Sequence, residues 1–136
     1  MQASHPPIRV LLVDDDSVLL WGLSKLINGE WPRMSVAGTA STLSAALHAA
    51  QHQKSDVVVL DLWLGQESSL DRLHEISRSA AAPVLVFAGS PDPELPRHAL
   101  ARGTRAVVMK HQPADVLLSE IERVYRDQLD REVPQP

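Results

Sequence analysis

Five side chains in this sequence have the types and the neighbours to do chemistry together: Asp14, Asp15, Asp16, Asp61 and Lys110. Each lies at the end of a short apolar run. Ile8-Arg9-Val10-Leu11-Leu12-Val13 runs into the three acids, Val57-Val58-Val59-Leu60 into Asp61, and Ala106-Val107-Val108-Met109 into Lys110. Runs rich in β-branched residues read as buried parallel strands. In an open parallel sheet, ligands bind just beyond the carboxyl ends of the strands. Two strand ends then offer carboxylates and a third an ammonium. Clustered carboxylates resist joint ionisation unless a cation joins them. Oxygen donors alone favour magnesium or calcium, and the lysine suits an anion held at the same place.

These residues must be positioned by a regular scaffold, and the rest of the chain supplies one. Helix signals separate the strand runs. Ser17 can cap a first helix carrying Val18, Leu19, Leu20, Leu23, Leu26 and Ile27, which ends near Asn28-Gly29. Trp31-Pro32 breaks the chain before a weak strand, Met34 to Gly38. Ser41 or Thr42 caps a second helix with Leu43, Ala46, Leu47 and Ala50, followed by the strand Asp56 to Leu60. A third helix spans Ser68 to Ser79, with Leu70, Leu73 and Ile76 on one face. Pro83 opens the strand Val84 to Phe87, and Pro91-Asp92-Pro93 opens a fourth helix that stops at Gly103. After the strand Ala106 to Met109, Pro113 sits in the first turn of a last helix carrying Val116, Leu117, Ile121, Val124 and Tyr125. Strands alternating with helices imply parallel strands, right-handed crossovers and helices on both faces. The expected architecture is a single α/β domain over 8–126, with a disordered lead-in over 1–7. Residues 127–136 read as a polar tail or linker.

Composition narrows the function. The chain has 136 residues, 44% hydrophobic, enough for one real core. A net charge of -4 offers no overall basic footprint for nucleic acid, and 4% aromatics disfavours stacking platforms for single strands. No cysteine is present, so disulfides, thiol nucleophiles and zinc–cysteine sites are excluded. No apolar run reaches membrane-spanning length and no signal segment opens the chain, so no membrane contact and a cytoplasmic location are the default expectations.

The acids after the first strand, the aspartate ending the third and the lysine ending the fifth resemble the pattern of bacterial response regulator receiver domains. These belong to the CheY-like superfamily, and the resemblance covers Ile8 to Arg126. Gly22-Leu23, Leu26-Ile27 and Asp61-Leu62-Trp63-Leu64 look more like the NarL/FixJ type than the OmpR type. The resemblance implies a flavodoxin-like fold with a five-stranded parallel sheet of order 2-1-3-4-5. It also implies Asp61 as phosphoacceptor, with magnesium as cofactor. Asp15 would be a direct metal ligand, and Asp14 would hold a metal-bound water or share the metal. Asp61 and the backbone carbonyl of Trp63 would complete the protein ligands, and Lys110 would pair with a phosphoryl oxygen. A histidine kinase or phosphotransfer protein is the implied phosphodonor. A homodimer, and DNA reached only through a C-terminal domain outside this chain, are further partners the resemblance allows.

The pattern is broken at the switch. Receivers usually end the fourth strand with threonine or serine, and here that position is Ala88. Gly89 and Ser90 follow, and Ser90 is the nearest hydroxyl. The usual aromatic residue three before the lysine is Val107. The loop after Asp61 reads Gly65-Gln66-Glu67-Ser68-Ser69, without its usual proline, and His111 follows the lysine. A receiver acting as an interaction module without phosphorylation is therefore the alternative function. An aspartate-nucleophile phosphatase would want a second aspartate where Trp63 stands. A nucleotide or flavin site would want a glycine-rich loop where the acids stand. Asp16 reads equally as an N-cap of the first helix. His48 and His52 read as a solvated helix face, and Trp21 and Trp31 as packing residues.

Overall fold

The apolar runs pair as buried parallel strands. The computed structural model describes residues 6–89 and 92–132. In chain order the elements are β1 (Ile8–Val13), α1 (Ser17–Asn28), β2 (Met34–Ala40), α2 (Leu43–His52), β3 (Val57–Asp61), β4 (Trp63–Leu64) and β5 (Glu67–Ser68). A 3-10 turn (Ser69–Arg72) leads into α3 (Leu73–Ala80), β6 (Val84–Ala88), α4 (Leu95–Ala101), β7 (Ala106–Met109) and α5 (Ala114–Glu132). Five strands form one parallel sheet of order β2-β1-β3-β6-β7. Counting only its own strands, that sheet is ordered 2-1-3-4-5. β1 and β3 are central, so the two acid-bearing strand ends lie side by side.

Side-chain alternation along the strands builds two cores. Leu11, Val13, Val58, Leu60, Val84 and Val86 face Leu43, Ala46, Leu73, Ile76, Leu95 and Ala99 of α2, α3 and α4. Val10, Leu12, Val57, Val59, Leu85 and Phe87 face Leu23, Ile27, Leu117, Ile121 and Val124 of α1 and α5. Each large aliphatic side chain buried here contributes roughly 1.5–3 kcal/mol. With both faces covered, the central strands are apolar from Val10 to Val13 and from Val57 to Leu60, and their charged residues, Arg9 included, sit toward the strand ends. That is why carboxylates collect there.

Several boundaries differ from those read in the sequence. Asp16, not Ser17, caps α1: its Oδ1 accepts from the amides of Val18 at 3.0 Å and Leu19 at 3.1 Å. Thr42 caps α2 through the amide of Ala45. β2 runs on to Ala40, with a register shift against Val10 and Leu11. Of the expected third helix, Ser68 ends β5 and Ser69–Arg72 form the 3-10 turn, so α3 begins at Leu73, and α4 occupies only Leu95–Ala101. α5 continues to Glu132, into the segment read as tail. Residues 1–5 of the lead-in, Ser90, Pro91 and 133–136 lie outside the described residues. Trp21 and Trp31 are exposed rather than packed. Among the described residues no helix is long and apolar enough to cross a membrane.

Candidate functional site

The carboxyl ends of β1, β3 and β7 bring together four of the residues singled out by sequence. One carboxylate oxygen from each of Asp14, Asp15 and Asp61 lies within 4.8 Å of the others. Asp14 and Asp61 are buried, 1% and 7% exposed, while Asp15 opens to solvent. Lys110 reaches in from β7, its Nζ 2.8 Å from Asp14 Oδ2 and 3.3 Å from Asp61 Oδ1. The Lys110 Nζ also lies over the Phe87 ring, 5.9 Å from its centroid. Asp16 turns away to cap α1, while its amide donates to Asp14 Oδ1 at 2.9 Å.

The electrostatics follow from this crowding. Burial pushes the Asp61 carboxyl up to about 6, the Asp14 charge adds to that, and Lys110 pulls the other way. Burial also works against the Lys110 ammonium, but its bond to Asp14 and the charge of Asp61 outweigh this and raise its pKa. Asp14 Oδ2 is shut off from solvent. It pairs with the ammonium but lacks a well-directed hydrogen bond. Three converging carboxylates, one with an under-satisfied buried oxygen, are a donor set for a hard divalent cation.

Comparison with known proteins identifies the family. The sequence model of the response regulator receiver domain matches residues 10–122. The chain belongs to that family. The receiver is 40% identical over 87 residues to the probable transcriptional regulatory protein TcrX of Mycobacterium tuberculosis, covering 63% of this chain and 36% of that protein. It is 28% identical over 121 residues to the oxygen regulatory protein NreC of Staphylococcus haemolyticus, covering 88% of this chain and 55% of that protein. The receiver thus spans between about a third and about half of these relatives' lengths. Its fold superposes on the CheY-like receiver domain protein of Methanospirillum hungatei JF-1 with a TM-score of 0.81 at 21% identity. That match covers 92% of this chain and 98% of the other.

The residues expected from the sequence at the switch, Ala88, Gly89 and Val107, lie on or beside β6 and β7. Ala88 is fully buried among the residues packed by α3 and α4, with no hydroxyl to offer. Its carbonyl accepts the Lys110 amide at 2.7 Å. Val107 is half-buried against the same cluster. Gly89 is exposed beside the Lys110 stem, where a Cβ would meet Lys110 Cδ at 3.6 Å, so a side chain there is sterically allowed.

Sequence reasoning missed the loop that follows Asp61. Trp63 lies in β4, paired with Ser68 of β5, and its side chain is 53% exposed. Between them Gly65 takes a φ of +63°, a conformation that favours glycine. The Gly65 amide donates to Asp15 Oδ2 at 2.9 Å. At the hairpin's far end Ser69 is buried, and its Oγ lies 2.6 Å from the carbonyl oxygen of Asp61 and 3.0 Å from that of Leu62. Nothing in a serine among polar neighbours marks it as buried. The available signal was Gly65 itself, a glycine in a loop without the usual proline, where every residue keeps an amide that can donate.

Proposed function

We propose that this receiver takes a phosphoryl group onto Asp61 from a histidine kinase or phosphotransfer protein and transmits the event as altered protein contacts. The observation that supports it is the meeting of Asp14, Asp15 and Asp61 within 4.8 Å, with Lys110 paired to two of them. An Asp61 oxygen forms the bond to phosphorus as the donor's phosphorus–nitrogen bond breaks, and that bonding pair leaves with the donor imidazole. The carboxyl titrates near 6 and is therefore mostly ionised, and nucleophilic, at neutral pH. Lys110 holds a phosphoryl oxygen as a compact cation. Asp15, Asp61, Asp14 directly or through water, and the Trp63 carbonyl would hold magnesium. When bound, the ion supplies charge neutralisation for the phosphoryl oxygens. The fixed ammonium and carboxylates otherwise act by position. This is signalling by a modified side chain rather than turnover of a substrate.

Two features favour a second reading, a receiver that works as an interaction module without phosphorylation. Ala88 offers no hydroxyl, and Val107 has no ring to turn inward. The experiment separating the readings is incubation with acetyl phosphate and magnesium, followed by intact mass. Phosphorylation predicts one added phosphoryl group, absent in Asp61→Asn and absent without magnesium. No added mass under any condition would favour the interaction module. Equal modification of Asp61→Asn would rule out this phosphoacceptor. A second copy of the chain, and DNA through a further domain such as the named transcriptional regulators imply, are the downstream partners proposed.

A further inference from the structure

The acids are positioned by the strand ends, and the loop after Asp61 is tied back as well. β4 and β5 form a two-rung hairpin, Trp63 against Ser68 and Leu64 against Glu67. One side of it is fastened by the Gly65 amide to Asp15 Oδ2, joining residues 50 positions apart. The other is fastened by Ser69, which uses both of its polar groups. Its amide donates to the Leu62 carbonyl at 2.9 Å, and its hydroxyl serves the carbonyls of Asp61 and Leu62. At 1% exposure no water competes for that hydroxyl. A hydroxyl carries a single proton, so the shorter contact, 2.6 Å to Asp61, takes most of the bond.

We propose that Ser69 is a positioning residue for phosphoryl transfer. Its buried hydroxyl holds the Asp61–Leu62 backbone, and with the Asp15–Gly65 bond it keeps the hairpin fixed against the carboxylate pocket. The inference rests on Asp61 as phosphoacceptor. Its physical content is that the chain leaving Asp61 carries the Trp63 carbonyl. A loose exit from β3 blurs both the attacking carboxylate and that carbonyl, and small misplacements are costly in positioned catalysis. Asp15 then has two duties, with Oδ2 bonded to the hairpin and its carboxylate part of the acidic cluster.

The test compares Ser69→Ala with Thr104→Val in the full chain. Thr104 is a matched control: its buried hydroxyl lies 2.7 Å from the Val84 carbonyl and 3.1 Å from that of Ala106, at the other end of β6 and β7. Amide hydrogen exchange, without metal or phosphodonor, should rise at Gly65 and Ser69 in Ser69→Ala and stay unchanged there in Thr104→Val. Phosphorylation by acetyl phosphate at saturating magnesium should slow about tenfold in Ser69→Ala and less than about twofold in Thr104→Val. Should Ser69→Ala fail to fold, Ser69→Cys carries the same comparison, with a similar shape and a weaker donor. A wild-type rate in the Ser69 variant, or equal slowing in Thr104→Val, overturns the proposal. A wild type that accepts no phosphoryl group, while Gly65 and Ser69 exchange faster in the variant, instead overturns the phosphoacceptor reading and reduces Ser69 to a structural clamp.

Discussion

Lys110 lies closer to Asp14 than to Asp61, 2.8 Å against 3.3 Å. The ammonium therefore serves first as the counter-ion of the most buried carboxylate and only second as a neighbour of Asp61, the proposed phosphoacceptor. Removing it leaves buried like charges facing each other. Breaking a buried pair from one side is costly, and the partial exposure of Lys110 moderates the loss to about 1–2 kcal/mol. Lys110→Met should melt several degrees below wild type without divalent cations, and magnesium should recover most of the difference. A melt unchanged in the absence of magnesium would show that the pair contributes nothing to the fold.

The same crowding makes stability depend on pH. Asp61 titrates near 6 in the folded protein because burial and the Asp14 charge disfavour its ionised form. An unfolded aspartate titrates near about 3.9. Between these values the folded state binds more protons, so without metal this group's contribution to stability falls as pH rises from about 4 to about 6. Asp61→Asn removes that term. Without magnesium, Asp61→Asn should be more stable than wild type at pH 7 by roughly 1–3 kcal/mol, and the advantage should vanish below about pH 4. Denaturant melts across pH 4–8 measure it, and a constant difference over that range would contradict the buried-acid origin.

The scaffold was legible because both faces of the sheet are covered. Buried parallel strands must be continuously apolar, so Val57 to Leu60 and Leu11 to Val13 announce themselves, and the first charge after each run marks a strand end. The exposure of Trp21 was misread as packing, although the signal was present: Trp21 lies two positions, about 200° around a helix, from the buried Leu23, on the opposite face. The hairpin after Asp61 was not legible. Two-residue strands have no periodicity, and the bonds that hold them join Asp15 to Gly65 and Ser69 to a backbone carbonyl. Pairings of that kind leave no trace in local pattern. The choice between Asp16 and Ser17 as cap was likewise decided by backbone geometry, since both residue types suit the position.

Asp15 tests the metal assignment. Its exposed carboxylate is a natural point of entry for a cation, and it adds repulsion to Asp61. Asp15→Ala should lose the rise in melting temperature that magnesium gives wild type. Without magnesium the variant should stay within about 0.5 kcal/mol of wild type, as is usual for exposed positions. Relief of repulsion is offset by loss of the bond to the Gly65 amide. Magnesium stabilisation persisting at full size in Asp15→Ala would refute its role as a ligand.

The last prediction concerns the switch. A conformational change requires a ligand that interacts differently with two states. In this receiver the fully buried Ala88 has only a methyl group to present, and Val107 lies half-buried against the same cluster as Leu95 and Ala99 of α4. Among the described residues, a phosphoryl group on Asp61 can therefore pull on the end of β6 through Lys110, whose amide is already bonded to the Ala88 carbonyl, and through backbone donors near Gly89. The shift of α4 should accordingly be small. Amide chemical shifts over 92–109, with magnesium and with or without beryllofluoride, measure it. Ala88→Ser adds the missing hydroxyl with the least extra volume in a packed site, where a larger side chain would strain the core. The variant should respond more strongly than wild type across α4 and β7. A large wild-type response that Ala88→Ser leaves unchanged would mean that a hydroxyl at position 88 is dispensable and that another group carries the signal.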